Sequence, residues 1–146
     1  MSQITYRKAE MKDVMLLKAL TDKMLEDTGL GVATVTKIAQ LVSSDRSLVK
    51  LAFSDDELIG YICGVLHESP FNNRRRVSDI GVYVAPDYRA TGVAQNLVGS
   101  LEAWAKNKAA DELWLGQTTG TNPAKTADFY TQLGYKIKGF NAVKEL

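Results

Sequence analysis

The chain is poor in the residues on which many enzyme sites are built: it has one cysteine, Cys63, and one histidine, His67. A lone cysteine excludes an internal disulfide and fits a reducing compartment. A lone histidine excludes a multi-histidine metal site, and it leaves a serine triad dependent on that single residue, so no metal is expected. Cys63 lies in an apolar run with no charged residue within three positions and reads as an inert core residue. His67 reads as a satisfied polar group at a strand end. No stretch approaches the roughly 18 apolar residues of a membrane span. Met1-Ser2-Gln3-Ile4-Thr5 does not have the pattern of a signal peptide. The formal net charge of +1 supplies no broad basic field for nucleic acid. No Gly-x-x-x-x-Gly-Lys-Ser/Thr stretch is present to cradle a nucleoside triphosphate. The expectation is a cytoplasmic protein with no membrane or nucleic-acid partner.

What is present suffices for an ordinary fold. With 146 residues, 45% of them hydrophobic and 24% charged, the chain can bury a core without staples. No repeat, linker or low-complexity segment divides it, so residues 1–146 are expected to form a single domain.

Periodicity gives the elements. A first strand covers residues 3–7. Val14, Leu17, Leu20 and Met24 then recur at helical spacing until Gly29 and Gly31 end the pattern, and a short helix follows over 35–42. Residues 47–53 and 57–66 read as a hairpin turning at Asp55-Asp56, the second strand apolar enough to be buried on both faces. A strand over 77–84 stops before Pro86, with Ile80, Val82 and Val84 on one face. An amphipathic helix over 93–106, a strand over 112–117, a helix over 124–133 closed by Gly134, and two last strands over 135–137 and 141–146 complete the order.

Between the strand at 77–84 and the helix at 93–106 lies Arg89-Ala90-Thr91-Gly92-Val93-Ala94. The first N–H groups of a helix have no intrahelical acceptor and sit at the positive end of its dipole, so a small-residue turn opening a helix can hold a phosphate by main chain alone. Arg89 adds a planar, permanently charged fork. The plain alternative is a strand-turn-helix junction with an exposed arginine.

The longer stretch Tyr83-Val84-Ala85-Pro86-Asp87-Tyr88-Arg89-Ala90-Thr91-Gly92-Val93-Ala94 resembles the acyl-CoA pyrophosphate loop of the GNAT N-acetyltransferases, Gln/Arg-x-x-Gly-x-Gly/Ala after a strand and a Pro-acid-aromatic turn. Arg89, Gly92 and Ala94 fall on its fixed positions, and Ala90 stands where the family usually has glycine. Phe129-Tyr130-Thr131-Gln132-Leu133-Gly134-Tyr135 is similar to the family's second element, Phe/Leu-Tyr-x-x-Leu-Gly-Phe/Tyr. The resemblance implies an α/β fold with a mixed, mostly antiparallel central sheet flanked by helices. In it the strands over 80–84 and 113–117 splay apart to admit a pantetheine arm.

The same resemblance implies acetyl-CoA as co-substrate. Val82, Tyr83 and Val84 would meet the arm, Arg89, Ala90, Thr91, Gly92, Val93 and Ala94 the pyrophosphate, and Asn122 the arm again. Asn122 stands one residue further from Phe129-Tyr130 than is usual, and it reads equally as a helix cap before Pro123. Tyr130 is implied as the acid that protonates the departing thiolate, against a plain reading as a core aromatic. Asp79, where related enzymes often carry glutamate, is implied as the base, against a plain reading as a solvated strand residue. Arg74-Arg75-Arg76 reads either as positive charge beside the acceptor or as a solvated basic turn. The expected partner is an amine, in a small molecule, at a peptide N-terminus or on a lysine, and a homodimer is an open assembly. The rival from another class is an inactive acyl-CoA-binding or protein-interaction module.

Overall fold

The computed structural model describes residues 3–28, 31–116 and 122–146. They fall into two compact units, residues 1–114 and 115–146.

The first unit is organised by its apolar hairpin. Strand β2 (Ser47–Ser54) and strand β3 (Glu57–Glu68) pair antiparallel, and β3 is buried from Ile59 to Gly64, as its continuous apolar run requires. Strand β1 (Ile4–Lys8) adds antiparallel to β2, and β4 (Arg75–Val84) antiparallel to β3. Strand β5 (Glu112–Trp114) adds to β4 in parallel, giving the sheet order β1-β2-β3-β4-β5. The mixed, mostly antiparallel sheet expected from the sequence is therefore present. Helices α1 (Val14–Thr28) and α2 (Val35–Ser43) cover one face, where Leu17, Leu20, Ile38 and Val42 meet Val49, Leu51, Phe53, Tyr61, Cys63 and Tyr83.

Helix α3 (Val93–Asn107) contacts β2, β3 and β4 through a stripe of Val93, Leu97, Val98, Leu101 and Ala105. Its approach is close. A Cβ at Gly64 would lie 2.5 Å from Leu101 Cδ1, and one at Gly60 would lie 2.9 Å from the Tyr83 carbonyl oxygen. Only glycine lets helix and neighbouring strand come this near to β3.

A half-buried ion pair ties β1 to the turn just before α1. Arg7 donates from both terminal nitrogens to the Asp13 carboxylate, at 2.7 and 2.8 Å, and Asp13 also accepts from the Glu10 N–H at 2.8 Å. The hydrogen bonds from Arg7 outweigh the desolvation of Asp13 and hold its carboxyl below the usual range.

The second unit contains helix α4 (Pro123–Gln132), one residue earlier at each end than its periodicity suggests. Residues 135–137 and 141–146, expected as strands, are not strands, and residues 136–146 are exposed. A strand exists only by pairing, and the described residues of this unit include no strand to pair with. Strand β5 likewise stops at Trp114, short of the expected 117, and residue 117 lies outside the described residues. No helix among the described residues is long and apolar enough to cross a membrane.

Two measurements check this account. Gly64→Ala should destabilise the protein by about 1–3 kcal/mol through overpacking. In a double-mutant cycle with Leu101→Ala the losses should fall short of additivity; additive losses would mean that the two do not touch. Because the Asp13 pKa is depressed in the folded state, its contribution should be fully present at neutral pH. The stability gap between wild type and Asp13→Asn should then shrink as pH falls below about 4, through the lowered folded value. A gap independent of pH in chemical denaturation would remove the pair from the account.

Candidate functional site

The site begins where β4 loses its second neighbour. Parallel pairing with β5 covers only Arg76, Val77 and Ser78, opposite Glu112, Leu113 and Trp114. Beyond Ser78, β4 runs on to Val84 with β3 alone as a described strand partner. Between these two stretches β4 carries a bulge: Gly64 faces Asp79 and Cys63 faces Gly81, leaving Ile80 as the extra residue. This corrects the simple alternation, since Ile80 is half exposed whereas Val84 is buried. Past the bulge Val82, Tyr83 and Val84 oppose Ile62, Tyr61 and Gly60, and Tyr83 buries its ring among the residues under α1 and α2.

After Val84 the chain turns through a short 3-10 segment, Pro86–Tyr88. The Ala85 N–H donates to the Ile59 carbonyl at 2.7 Å, so the turn is anchored to β3. Arg89 folds back over the strand it follows. Its Nε–H donates to the Val84 carbonyl at 2.9 Å, and its guanidinium lies 5.5 Å from the centre of the Tyr83 ring. The Thr91 hydroxyl donates to the Tyr88 carbonyl. Ala90 and Gly92 both take left-handed conformations, at φ +61° and +90°. Gly92 is the N-cap of α3 and provides no side-chain cap, no acid sits in the first turn, and a Cβ on Gly92 would meet nothing within 4 Å.

The N–H groups at the start of α3 therefore have neither a side-chain cap nor an acid in the first turn, at the positive end of the helix, an arrangement that can hold a phosphate. The Val93 side chain is buried in the core, which leaves its main chain alone to face the turn. The residues from Arg89 to Ala94 thus form one turn that leads into α3.

Asp79 sits at the bulge, half-buried. Burial first, and the charge of Asp79 second, push the Cys63 thiol up to about 12, so this cysteine is held as a neutral thiol. Next to Asp79 lies a contact that the sequence did not suggest: His67 Nε2 is 2.8 Å from Ser78 Oγ, across the β3–β4 pair. The other ring nitrogen, Nδ1, faces the Glu68 carbonyl at 3.3 Å. Predicting this contact needed the register on the near side of the bulge, which residue spacing alone does not provide.

The three consecutive arginines are held by the fold rather than arrayed outward. Arg76 Nε donates to Glu112 at 2.8 Å and its guanidinium lies 4.3 Å from the Trp114 ring centre. Arg74 pairs with Glu112 at 3.5 Å, and Arg75 donates to the Lys108 carbonyl at 3.0 Å. The hydrogen bond from Arg76 leads in holding the Glu112 carboxyl low.

In the second unit, Asn122 caps α4. It adopts φ +48°, and its side-chain oxygen accepts from the Lys125 N–H at 3.4 Å, with Pro123 as the first helical residue. Tyr130 is buried, donates its hydroxyl to the Gly116 carbonyl at 3.0 Å, and packs against Phe129 and Tyr135 at 5.8 and 6.3 Å between ring centres. The helix ends so as to make the last contact. The Tyr135 N–H donates to the Tyr130 carbonyl and the Gly134 N–H to the Thr131 carbonyl, both at 3.0 Å, with Gly134 at φ +95°. This is the closure in which a left-handed glycine folds the following apolar residue back onto the last turn. Among the described residues no three His, Cys, Asp or Glu side chains gather to hold a metal.

Comparison with known proteins adds the following. The model of the acetyltransferase (GNAT) family matches residues 26–135. An aminoglycoside N(6')-acetyltransferase type 1 of Acinetobacter genomosp. 13 is 33% identical over 78 residues, 51% of this chain and 53% of the relative. The match thus spans about half the length of that relative. An aminoglycoside acetyltransferase from an uncultured soil metagenomic sample superimposes with a TM-score of 0.80 at 15% identity, over 99% of each chain. AAC(6')-Iy, solved with a CoA-linked bisubstrate analog, gives 0.79 at 16%, again over 99% of each chain. At those identities the two structures establish the fold alone.

One consequence of the loop is measurable without any ligand. A non-glycine residue at positive φ costs roughly 1–2 kcal/mol. Ala90→Gly should therefore hold or raise the melting temperature despite the entropy glycine adds to the unfolded chain, and Gly92→Ala should lower it. A clear loss of stability in Ala90→Gly would show that the Ala90 methyl makes contacts worth more than its strain.

Proposed function

Since the chain belongs to the acetyltransferase (GNAT) family, we propose that it moves an acetyl group from acetyl-CoA to a primary amine of a small molecule, by direct attack with both substrates bound. The observation that carries this reading is the turn from Arg89 to Ala94, where an uncapped helix start, two left-handed residues and a guanidinium converge. Acetyl-CoA supplies the activated acyl group; the chain's residues bind and orient it and move protons. Main-chain groups of Val82, Tyr83 and Val84, on the side of β4 that has no described strand beside it, are the proposed partners of the pantetheine amides. Arg89 and the N–H groups around Gly92, Val93 and Ala94 are the proposed pyrophosphate site, with Ala90 and Thr91 shaping the turn. Asn122 is proposed to meet the same arm with whatever hydrogen-bonding capacity its cap leaves.

Tyr130 is the proposed acid. A phenol with a reference pKa near 10 is protonated at neutral pH and can donate to a developing thiolate. Its hydroxyl now donates to the Gly116 carbonyl, so it must redirect that proton in the reaction. Asp79 is proposed to steady the acceptor ammonium and draw its proton, directly or through water. The small-molecule acceptor follows the relatives named for aminoglycosides, and the ion pairs of Arg74 and Arg76 with Glu112 weaken any case for an acidic acceptor. The proposed functional domain is the whole chain, 1–146, because the family match runs across both units. Its proposed location is the cytoplasm.

The test is a panel of sisomicin, a lysine-containing peptide and a peptide with a free N-terminus, each with acetyl-CoA, reading thiol release against a blank without acceptor. Release above the blank with sisomicin supports the proposal. Release with a peptide alone moves the acceptor class, and binding of acetyl-CoA without release for any amine leaves a binding module of the same fold. Within an active enzyme, Arg89→Ala should weaken acetyl-CoA binding by about ten- to a hundred-fold, the worth of one charge-assisted contact. Tyr130→Phe should lower kcat by about a hundred-fold with acetyl-CoA affinity retained. It should also cost about 0.5–1.5 kcal/mol of stability through the lost bond to Gly116. A wild-type rate in Tyr130→Phe would make the tyrosine a packing residue.

A further inference from the structure

His67 is the one histidine of the chain, and nothing in the proposed reaction has yet used it. Its surroundings fix its chemistry. A backbone carbonyl can only accept, so the Glu68 carbonyl facing Nδ1 calls for the proton on that nitrogen. Nε2 then presents its lone pair to the Ser78 hydroxyl at 2.8 Å, and Oγ–H is the donor. A hydroxyl whose proton points into an imidazole keeps its own lone pairs available to a third group. Ser78 is also the last residue of β4 opposite β5, facing Trp114, and it is followed by Asp79 and the bulge. It stands at the closed end of the stretch along which β4 has β3 as its only described strand partner.

We propose that Ser78 and His67 form a proton-accepting pair for the acceptor amine, an inference that rests on the acetyl-transfer reading. The ammonium form of the acceptor gives a proton to Ser78 Oγ while the Oγ proton passes to His67 Nε2, leaving an imidazolium whose Nδ1–H stays on the Glu68 carbonyl. The freed nitrogen lone pair forms the C–N bond as the C–S bond breaks. The nitrogen's surplus proton passes to water, the thiolate takes the Tyr130 phenol proton and the phenolate is reprotonated from water, so a single proton remains on His67. That ring is half-buried and returns its proton to solvent. Asp79 beside the pair holds the ammonium by charge, and Ser78 and His67, in place of Asp79, take the proton. Imidazole suits this task because its proton can be taken up and released near neutrality.

The charges around the ring are few. Arg76 is its cross-strand partner on β4, and its guanidinium is bound to Glu112 of β5. Glu68 follows His67 on β3, and Arg46, before β2, donates to the Leu66 carbonyl at 3.4 Å. The Arg76–Glu112 pair is neutral as a unit, and Asp79 follows Ser78 on β4.

Two readouts test the pair. With one histidine in the chain, nitrogen-detected NMR reports the ring without assignment. The neutral ring should be the Nδ1–H tautomer, and Ser78→Ala should shift it toward the mixture of a free imidazole. In kinetics with the amine of the panel that wild type turns over, kcat should fall on the acid side as the imidazole charges. His67→Gln should lose at least about ten-fold in kcat, the lower range for a proton-transferring group, and flatten that acid limb. Ser78→Ala should do the same, with acetyl-CoA affinity and melting temperature held in both. A wild-type rate and pH profile in His67→Gln, or an Nε2–H tautomer, overturns the pair while leaving acetyl transfer intact. A wild type that turns over no amine overturns the acetyl-transfer reading, and the pair's role with it.

Discussion

The contact on which the site depends is the seating of Leu101 over Gly64. A side chain at position 64 would push α3 off the sheet, and the start of that helix carries the turn from Arg89 to Ala94. Gly60, four residues earlier on β3, meets the Tyr83 carbonyl as closely, so β3 presents two bare places, one to the helix and one to the neighbouring strand. Burial of Val93, Leu97 and Leu101 then holds the helix start in place. The placement of the turn from Arg89 to Ala94 is thus a consequence of core packing rather than of the loop alone.

Strand β4 performs two tasks because its pairing changes along its length. Up to Ser78 it is an interior strand, fixed on both sides by β3 and β5. After the bulge at Ile80 it keeps only β3 as a described strand partner, and its other side is the one proposed to meet a ligand's amides. Ser78 and Asp79 border that change, and the His67 ring reaches Ser78 from β3. The extra residue alters the alternation, so Tyr83 falls on the α1 and α2 face while Ile80 is pushed into solvent.

Much of this was legible in the chain. Arg89, Gly92 and Ala94 announce the loop because a helix start needs small residues to expose its N–H groups, and that requirement is local. The stripe of α3 and the two-faced burial of β3 follow from periods of 3.6 and continuous apolarity, which survive folding unchanged. The bulge did not announce itself, since nothing in Ser78-Asp79-Ile80-Gly81 distinguishes a regular strand from one with an extra residue. The His67–Ser78 contact depends on that register and stayed hidden with it. The Arg7–Asp13 pair joins residues close in sequence, yet only the turn between them brings charge to charge. Residues 135–137 and 141–146, expected as strands, are not strands, and local sequence is silent about whether a partner strand stands ready.

Arg89 offers one more consequence. Its guanidinium is already held by the Val84 carbonyl and the Tyr83 ring, so a long side chain with several rotatable bonds stands in place ahead of any anion. The ordering that a flexible arginine would undergo on capture has taken place during folding. If the proposed anion binds there, its association should be governed by diffusion and steering rather than by rearrangement, and selectivity among related anions should be expressed in how long each resides.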